Sequence, residues 1–131
     1  MSKTVYISGP IVGGMATVNP DTIAENKARF GEAEEFFKNW YAGWVVVNPL
    51  NVAACPNGDC VGVRQFGDHT WACYLRYDLI AMVRRCNAIA MIPGWQNSKG
   101  ARLELHVAKE LDFSIRYFNR DMTDLNRKAI L

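Results

Sequence analysis

The sequence predicts a small doubly wound α/β fold, in which a parallel sheet carries helices on both faces. Four short apolar runs, at 3–8, 44–47, 87–92 and 113–118, are continuous rather than alternating. Continuous runs are typical of parallel strands that are buried on both sides. Segments of helical periodicity separate the runs, so strand and helix alternate along the chain, as a parallel α/β sheet requires.

The length and composition predict one globular domain over residues 1–131. Of the 131 residues, 50% are hydrophobic and 21% are charged, and a chain of this size buries roughly two-thirds of its unfolded surface. The net charge of +2 comes from basic and acidic residues that are mixed along the chain, which disfavours a nucleic acid polymer as partner. We find no signal peptide or membrane-length apolar stretch, so we expect a cytoplasmic protein without a membrane partner.

The first two strands bracket a long amphipathic helix. The β-branched and aromatic run at 3–8 ends at the Gly9-Pro10 pair, which stops the strand. Asn19 and Pro20 suit the cap and the first position of a helix, and the apolar residues that follow recur at helical spacing. The second strand follows this helix.

The second half of the chain repeats the alternation after a long connection. Residues 50–68 are polar and contain glycine, and connections of this length usually have a function. Periodic apolar residues from His69 onwards predict a second helix, and Ser98 to Leu111 predict a third. The polar tail after the last strand is a candidate for a further helix.

The segment GPIVGG places candidate binding residues after the first strand. In doubly wound folds, ligands bind outside the carboxyl ends of the strands, where the strand order reverses. The glycines of this segment, which include Gly9 and Gly13, let backbone N–H groups approach a phosphate or a ribose. A plain tight turn is the alternative.

The segment PGWQNSKGARLE places a second group of candidates after the third strand. If Ser98 caps the helix, the N–H groups of its first turn can hold an anion. Glu104 lies in the second turn and leans over Gly100, which leaves room for a sugar ring and suits a nucleophile. Alternatively, Gly100 serves close packing and Glu104 is a solvated carboxylate that pairs with Lys99 or Arg102.

Three segments together resemble the nucleoside 2-deoxyribosyltransferase family, including its nucleoside 5′-monophosphate N-glycosidase branch. They are VYISGP, the aspartate of WACYLRYDL, and SKGARLE after an apolar strand, and their order and spacing match over residues 4 to about 115. The resemblance implies a flavodoxin-like fold and an enzyme that needs no cofactor. It also implies a homodimer or larger assembly in which a neighbouring subunit completes the pocket.

The resemblance implies a role for each matched residue. Glu104 attacks the anomeric carbon, Asp78 protonates or positions the leaving base, and Tyr6 holds the nucleophile or the sugar, which is the chemistry of retaining glycosidases. The resemblance also implies that family members acting on free nucleosides have an aspartate at the position of Ser98. An aspartate would repel a 5′-phosphate, whereas a serine at a helix N-terminus would hold one. A surface ion pair with a nearby arginine is the alternative for Asp78.

Two tryptophans are candidates for stacking on the base of a substrate. Trp95, in a loop, is favoured over Trp71, for which packing in the core is at least as good an explanation. The predicted substrate-binding set is Ser8, Gly9, Pro10, Gly13, Trp95, Asn97, Ser98 and Gly100.

The predicted function is hydrolysis of the N-glycosidic bond of a nucleoside or deoxynucleoside 5′-monophosphate through a glutamyl-glycosyl intermediate. Transfer of the deoxyribosyl group to another base differs only in whether water or a base enters second. A non-catalytic nucleotide-binding module is an alternative from a different class. Binding a phosphate, however, does not require Glu104, Asp78 and Tyr6 together.

Three cysteines and a histidine form the pattern C-x4-C-x8-H-x3-C, whose last two members share a helix face. The first gap is at the wide end of the usual zinc-ligand spacing. A structural zinc site and reduced free thiols therefore both stay open. An interaction protein ordered by zinc is a third alternative for the function. No metal is assigned to the catalytic site. The four residues are Cys55, Cys60, His69 and Cys73.

Overall fold

A four-stranded parallel sheet forms the centre of the structure, in the order β2-β1-β5-β6. The computed structural model describes residues 3–11, 20–56, 58, 60–66 and 68–119. Its elements are β1 (Thr4–Ser8), α1 (Pro20–Trp40), β2 (Val45–Val47), a 3-10 turn (Pro49–Asn51), β3 (Gln65–Phe66), β4 (His69–Thr70), α2 (Trp71–Arg85), β5 (Ala88–Met91), a second 3-10 turn (Trp95–Asn97), α3 (Lys99–Glu110) and β6 (Ser114–Tyr117).

The strand order reverses between β1 and β5. The chain places β2 on one side of β1 and then crosses to add β5 on the other side, and all three neighbouring pairs are parallel. The register pairs Ser8 with Met91, so β1 and β5 end side by side. The predicted doubly wound α/β fold is confirmed, and its switch point is where such folds bind ligands.

Alternate residues of the central strands enter two separate cores. Val5 and Ile7 pack with Phe30 and Phe37 of α1 on one face of the sheet, whereas Tyr6 joins the residues of α2 and α3 on the other. Successive side chains of a strand point to opposite faces, so a strand covered on both sides is apolar at nearly every position. This explains the continuous apolar runs of the sequence.

The connection between β2 and α2 contains more structure than the sequence predicts. It includes the first 3-10 turn and an antiparallel pair, β3 with β4, which places Phe66 opposite His69. Each of these strands has only two residues, which is too short for periodicity to reveal. Thr70 then caps α2 by accepting a hydrogen bond from the N–H of Cys73.

Some sequence predictions fall outside the described residues. These are the binding residue Gly13, the cap residue Asn19 and the polar tail from 120 onwards. Within the described part of the chain, no helix combines the length and the apolar composition needed to cross a membrane.

Candidate active site

Glu104 is a carboxylate on the buried stripe of α3. Its side chain is only 5% exposed, and it lies between Ala101, Leu105 and Ala108, which pack against the sheet. A charged group in such a place costs several kcal/mol unless hydrogen bonds compensate it. The expected alternative of a solvated carboxylate beside Lys99 or Arg102 is therefore not what the structure shows.

Two hydroxyl groups of β1 hold this carboxylate. Tyr6 donates to Oε2 over 2.6 Å and Ser8 donates to Oε1 over 2.7 Å. Positions 6 and 8 point to the same face of the sheet because strand side chains alternate with a period of two. Each carboxylate oxygen thus has its own donor, which fixes the plane of the group.

Burial and hydrogen bonding act on the acidity of Glu104 in opposite directions. Burial raises its pKa, the bonds from Tyr6 and Ser8 lower it, and the result is a pKa of about 7. The pKa of Tyr6 is raised well above its usual value by burial and by the charge of Glu104. Tyr6 therefore keeps its proton and remains a donor to the carboxylate.

Asp78 of α2 faces the same pocket as Glu104. Burial, and then the negative charge of Glu104, raise its pKa to about 8. Within the described residues Asp78 forms no ion pair with Arg76 or Arg85, so the surface-pair alternative is not realised there. The site therefore contains two carboxyl groups whose environments differ.

The pocket above these groups lies at the carboxyl ends of β1 and β2 and has a volume of about 220 Å³. Phe30, Leu50 and Trp71 supply apolar walls, and Lys27 of α1 adds a cation at the margin. A mostly apolar cavity with a few converging polar groups is the usual form of a small-molecule site.

The N-terminus of α3 also borders the pocket. Ser98 is 6% exposed, and its Oγ accepts a hydrogen bond from the N–H of Ala101 over 3.2 Å. The N–H groups of Lys99 and Gly100, in the first helical turn, have no acceptor within the helix. This end of the helix can therefore bind an anion, and the Ser98 hydroxyl can donate a further hydrogen bond.

The two glycines that line the pocket differ in whether a side chain would fit in their place. A Cβ at Gly9 would lie 2.2 Å from Cγ1 of Ile92, so the close approach of β1 and the segment after β5 requires a glycine there. A Cβ at Gly100 would lie 3.6 Å from Leu75 and from Trp71, which is ordinary contact. Packing therefore explains Gly9, whereas the packing alternative does not explain Gly100.

Four predicted binding residues are not among the described residues that line the pocket, although one of them, Ser8, donates a hydrogen bond to Glu104. Trp95 is half-buried and packs against Tyr117, with ring centroids 5.9 Å apart, and Asn97 is exposed. Pro10 is buried close to Gly94. Trp71, the other candidate for stacking, does line the pocket.

Lys27 and Tyr74 are pocket residues that the sequence reasoning missed. Lys27 precedes Phe30 by three positions, so the two share a face of α1. Tyr74 precedes Asp78 by four positions on α2 and shares its face. Helical spacing from the residues already identified was therefore a signal that could have found both.

One family model matches nearly the whole chain. Its description is "Domain of unknown function (DUF4406)", and it covers residues 3–117. No curated protein matches the chain, and no solved structure matches it. The matched range contains Tyr6, Asp78 and Glu104.

Proposed function

We propose that this chain, which belongs to the DUF4406 family, hydrolyses the N-glycosidic bond of a nucleoside or deoxynucleoside 5′-monophosphate. The observation that carries the proposal is the buried Glu104 carboxylate, which Tyr6 and Ser8 hold from the sheet while Asp78 faces the same pocket. The resemblance of the three sequence segments to the nucleoside 2-deoxyribosyltransferase family supports the same reaction.

Glu104 is proposed as the nucleophile. Its oxygen forms a bond to the anomeric carbon while the bond from that carbon to the base nitrogen breaks, and the electron pair stays with the base. The hydrogen bonds from Tyr6 and Ser8 stabilise the ionised form that attacks. A pKa of about 7 leaves a substantial fraction of the group ionised at neutral pH.

Asp78 is proposed as the acid that protonates the leaving base. Its pKa of about 8 keeps it protonated at neutral pH, as this role requires. In the second half of the reaction, water attacks the anomeric carbon, gives its proton to Asp78 and releases the Glu104 carboxylate. The products are the free base and the sugar 5-phosphate.

The N-terminus of α3 is proposed to bind the 5′-phosphate. The N–H groups of its first turn, the hydroxyl of Ser98 and the positive end of the helix dipole all favour a dianion. Lys27, at the pocket margin, adds a positive charge. Trp71 is proposed to pack against the base.

We also propose an oligomeric state and a cellular location for this protein. The resemblance to the nucleoside 2-deoxyribosyltransferase family supports completion of the pocket by a second subunit. We therefore propose a cytoplasmic homodimer or larger homo-oligomer that needs no cofactor. Light scattering of the purified protein measures its mass, and a monomer would contradict this part of the proposal.

Release of free base from a panel of ribo- and deoxyribonucleoside 5′-monophosphates and their nucleosides tests the function. Chromatography should show release from monophosphates with wild-type protein and none with Glu104→Gln. Glu110→Gln is a matched control, because Glu110 is an exposed glutamate of the same helix. Circular dichroism checks that both variants are folded.

The same assay separates the alternatives. Release that depends on an added acceptor base, with a new nucleotide as product, would indicate transfer instead of hydrolysis. No release from any substrate, with or without acceptor, would overturn the catalytic proposal. In that case, binding of a monophosphate by calorimetry would support the non-catalytic binding module.

A further inference from the structure

Three cysteines and a histidine meet in one cluster away from Glu104. The ligand atoms of Cys55, Cys60, His69 and Cys73 all lie within 4.8 Å of one another. Two residues come from the connection before β3, one from β4 and one from the first turn of α2. We propose that these four side chains bind one structural Zn²⁺ ion, which fixes the connection between β2 and α2 and with it one wall of the pocket.

The distances within the cluster are close to those of a tetrahedral zinc site. Bond lengths of about 2.3 Å to sulfur and 2.0–2.1 Å to nitrogen give edges of about 3.8 Å between sulfurs and about 3.6 Å between sulfur and nitrogen. Nδ1 of His69 lies 3.3 Å from Sγ of Cys55, 3.1 Å from Cys60 and 3.9 Å from Cys73. Zinc binding would change these three distances by about 0.3–0.5 Å and would separate the Sγ atoms of Cys55 and Cys60, now 3.2 Å apart, by about 0.6 Å more.

Hydrogen bonding or a disulfide explains this arrangement less well. Nδ1 of a neutral imidazole makes one hydrogen bond as donor or acceptor, yet here it faces three sulfur atoms. The Sγ atoms of Cys55 and Cys60 are 3.2 Å apart, well beyond the disulfide bond length of about 2.05 Å. A shared cation accounts for the convergence of all four groups.

The ligand set favours zinc in a closed, structural role. Three cysteines and one histidine are a common set for structural zinc, and four protein ligands leave no open position for a substrate. Cys73 lies in the first turn of α2, on a helix that the cap of Thr70 fixes at its N-terminus. The backbone N–H of Cys55 also points at Sγ of Cys73 over 3.5 Å, as outer groups do around metal-bound thiolates.

The described residues around the cluster bury little apolar surface. Val61 and Val63 are 68% and 101% exposed, and β3 and β4 have two residues each, so apolar burial contributes little there. Small elements without a core are commonly stabilised by a metal. Three residues near the ligands in sequence line the pocket, so the metal site and the pocket wall are connected. They are Val52, which precedes Cys55, and Trp71 and Tyr74, which flank Cys73.

Metal content tests the site directly. We expect about one zinc per chain in full-length protein that is purified without a histidine tag, and a much lower content in Cys60→Ser. The matched control is Cys86→Ser, since Cys86 is the one cysteine outside the cluster; its zinc content should be unchanged. Removal of the metal with a chelator should lower the melting temperature by roughly 10 °C or more, and added Zn²⁺ should restore it.

Replacement of the bound Zn²⁺ by Co²⁺ tests the site in wild-type protein, and therefore does not depend on whether Cys60→Ser folds. Wild-type protein with Co²⁺ should show sulfur-to-cobalt charge transfer and the intense visible bands of tetrahedral cobalt. His69→Cys should still bind one ion, because four cysteines also form a structural zinc site, and its cobalt spectrum should shift. Sub-stoichiometric zinc together with no charge-transfer band in wild-type protein would overturn the proposal. The site does not rest on the proposed glycosidase function, because none of these readouts uses activity.

Discussion

On the α1 face of the sheet the core consists of aromatic and aliphatic side chains, whereas the α2/α3 face also buries a tyrosine, a serine and a glutamate. Phe37 is fully buried on the first face and stacks on Trp44 with ring centroids 5.6 Å apart. On the second face, Tyr6 and Ser8 are equally buried but turn their hydroxyls to Glu104. Both faces therefore have an apolar core, but only the α2/α3 face combines it with a buried, hydrogen-bonded carboxyl group among the described residues.

The difference has a physical basis in the cost of buried polar groups. A buried carboxylate destabilises the fold unless it is hydrogen-bonded, and a chain tolerates such a group when apolar burial elsewhere offsets it. The aromatic packing against α1, which includes an edge-to-face contact of Phe36 with Phe118 at 5.0 Å, provides that offset. Substitutions on the two faces should consequently affect different measurable properties.

The largest effect is expected from Asp78→Asn on the polar face. Loss of a general acid reduces the rate by about 10²–10⁴-fold, so kcat/KM for the proposed reaction should fall by that factor. The wild-type profile of kcat/KM against pH should rise near pH 7, where Glu104 loses its proton, and fall near pH 8, where Asp78 loses its proton. The variant should lack the fall near pH 8.

Asp78→Asn should also change how the free energy of unfolding depends on pH, which can be measured without substrate. The folded pKa of Asp78, about 8, is above the unfolded value of 3.8, so the folded state binds the proton more tightly. Stability should therefore fall as the pH rises from about 4 to 8, by at most about 1.4 kcal/mol per pH unit from this group. Urea unfolding at several pH values should give a flatter dependence for the variant, and an identical slope would contradict the raised pKa.

The next effect is expected from Phe37→Ala on the apolar face. Removal of a fully buried phenylalanine costs about 3–5 kcal/mol because it loses apolar burial and leaves a cavity. Chemical denaturation should report this loss, while the pH profile of the remaining folded protein should stay unchanged. A shifted profile would mean that the two faces are coupled through the sheet.

Tyr6→Phe should change the acidity of Glu104 with a smaller effect on stability. A hydrogen bond to a charged group contributes about 1.5–3 kcal/mol, so loss of the 2.6 Å bond should raise the pKa of Glu104 by roughly one unit or more. Nuclear magnetic resonance titration of protein with ¹³C-labelled glutamate measures this pKa. Tyr77→Phe is the control, because Tyr77 is on α2 but is not among the described residues that line the pocket. This variant should leave the pKa of Glu104 unchanged.

A smaller effect on stability is expected from Gly9→Ala, next to the end of β1. The added Cβ would overlap Cγ1 and Cδ1 of Ile92, at 2.2 and 2.8 Å, and such overpacking costs about 1–3 kcal/mol. Because Ile92→Ala removes both atoms, the double variant should lose less stability than the sum of the two single changes.

Gly31→Ala, where a Cβ meets nothing within 4 Å, should instead stabilise α1 by about 0.5–1 kcal/mol.

Local sequence patterns were sufficient to predict the strands of the four-stranded sheet and the helices between them, with their approximate ends. Continuous apolar runs that stop at glycine, proline or asparagine predicted the four strands of the sheet, and the cap of Ser98 predicted the start of α3. These features follow from local rules, namely side-chain periodicity, fixed backbone angles and unsatisfied helix ends. The alternation of strand and helix then limited the topology to a doubly wound sheet.

Which side chains meet depends on the tertiary structure. Tyr6 and Ser8 are 98 and 96 residues from Glu104 in sequence, and their contact depends on strand register and on how α3 packs. The same dependence places Trp71 in the pocket and Trp95 against Tyr117. It also brings the cysteines and His69 together across a connection without local periodicity. Periodicity gives the face on which a residue lies, and the partner across that face follows from the packing of elements distant in sequence.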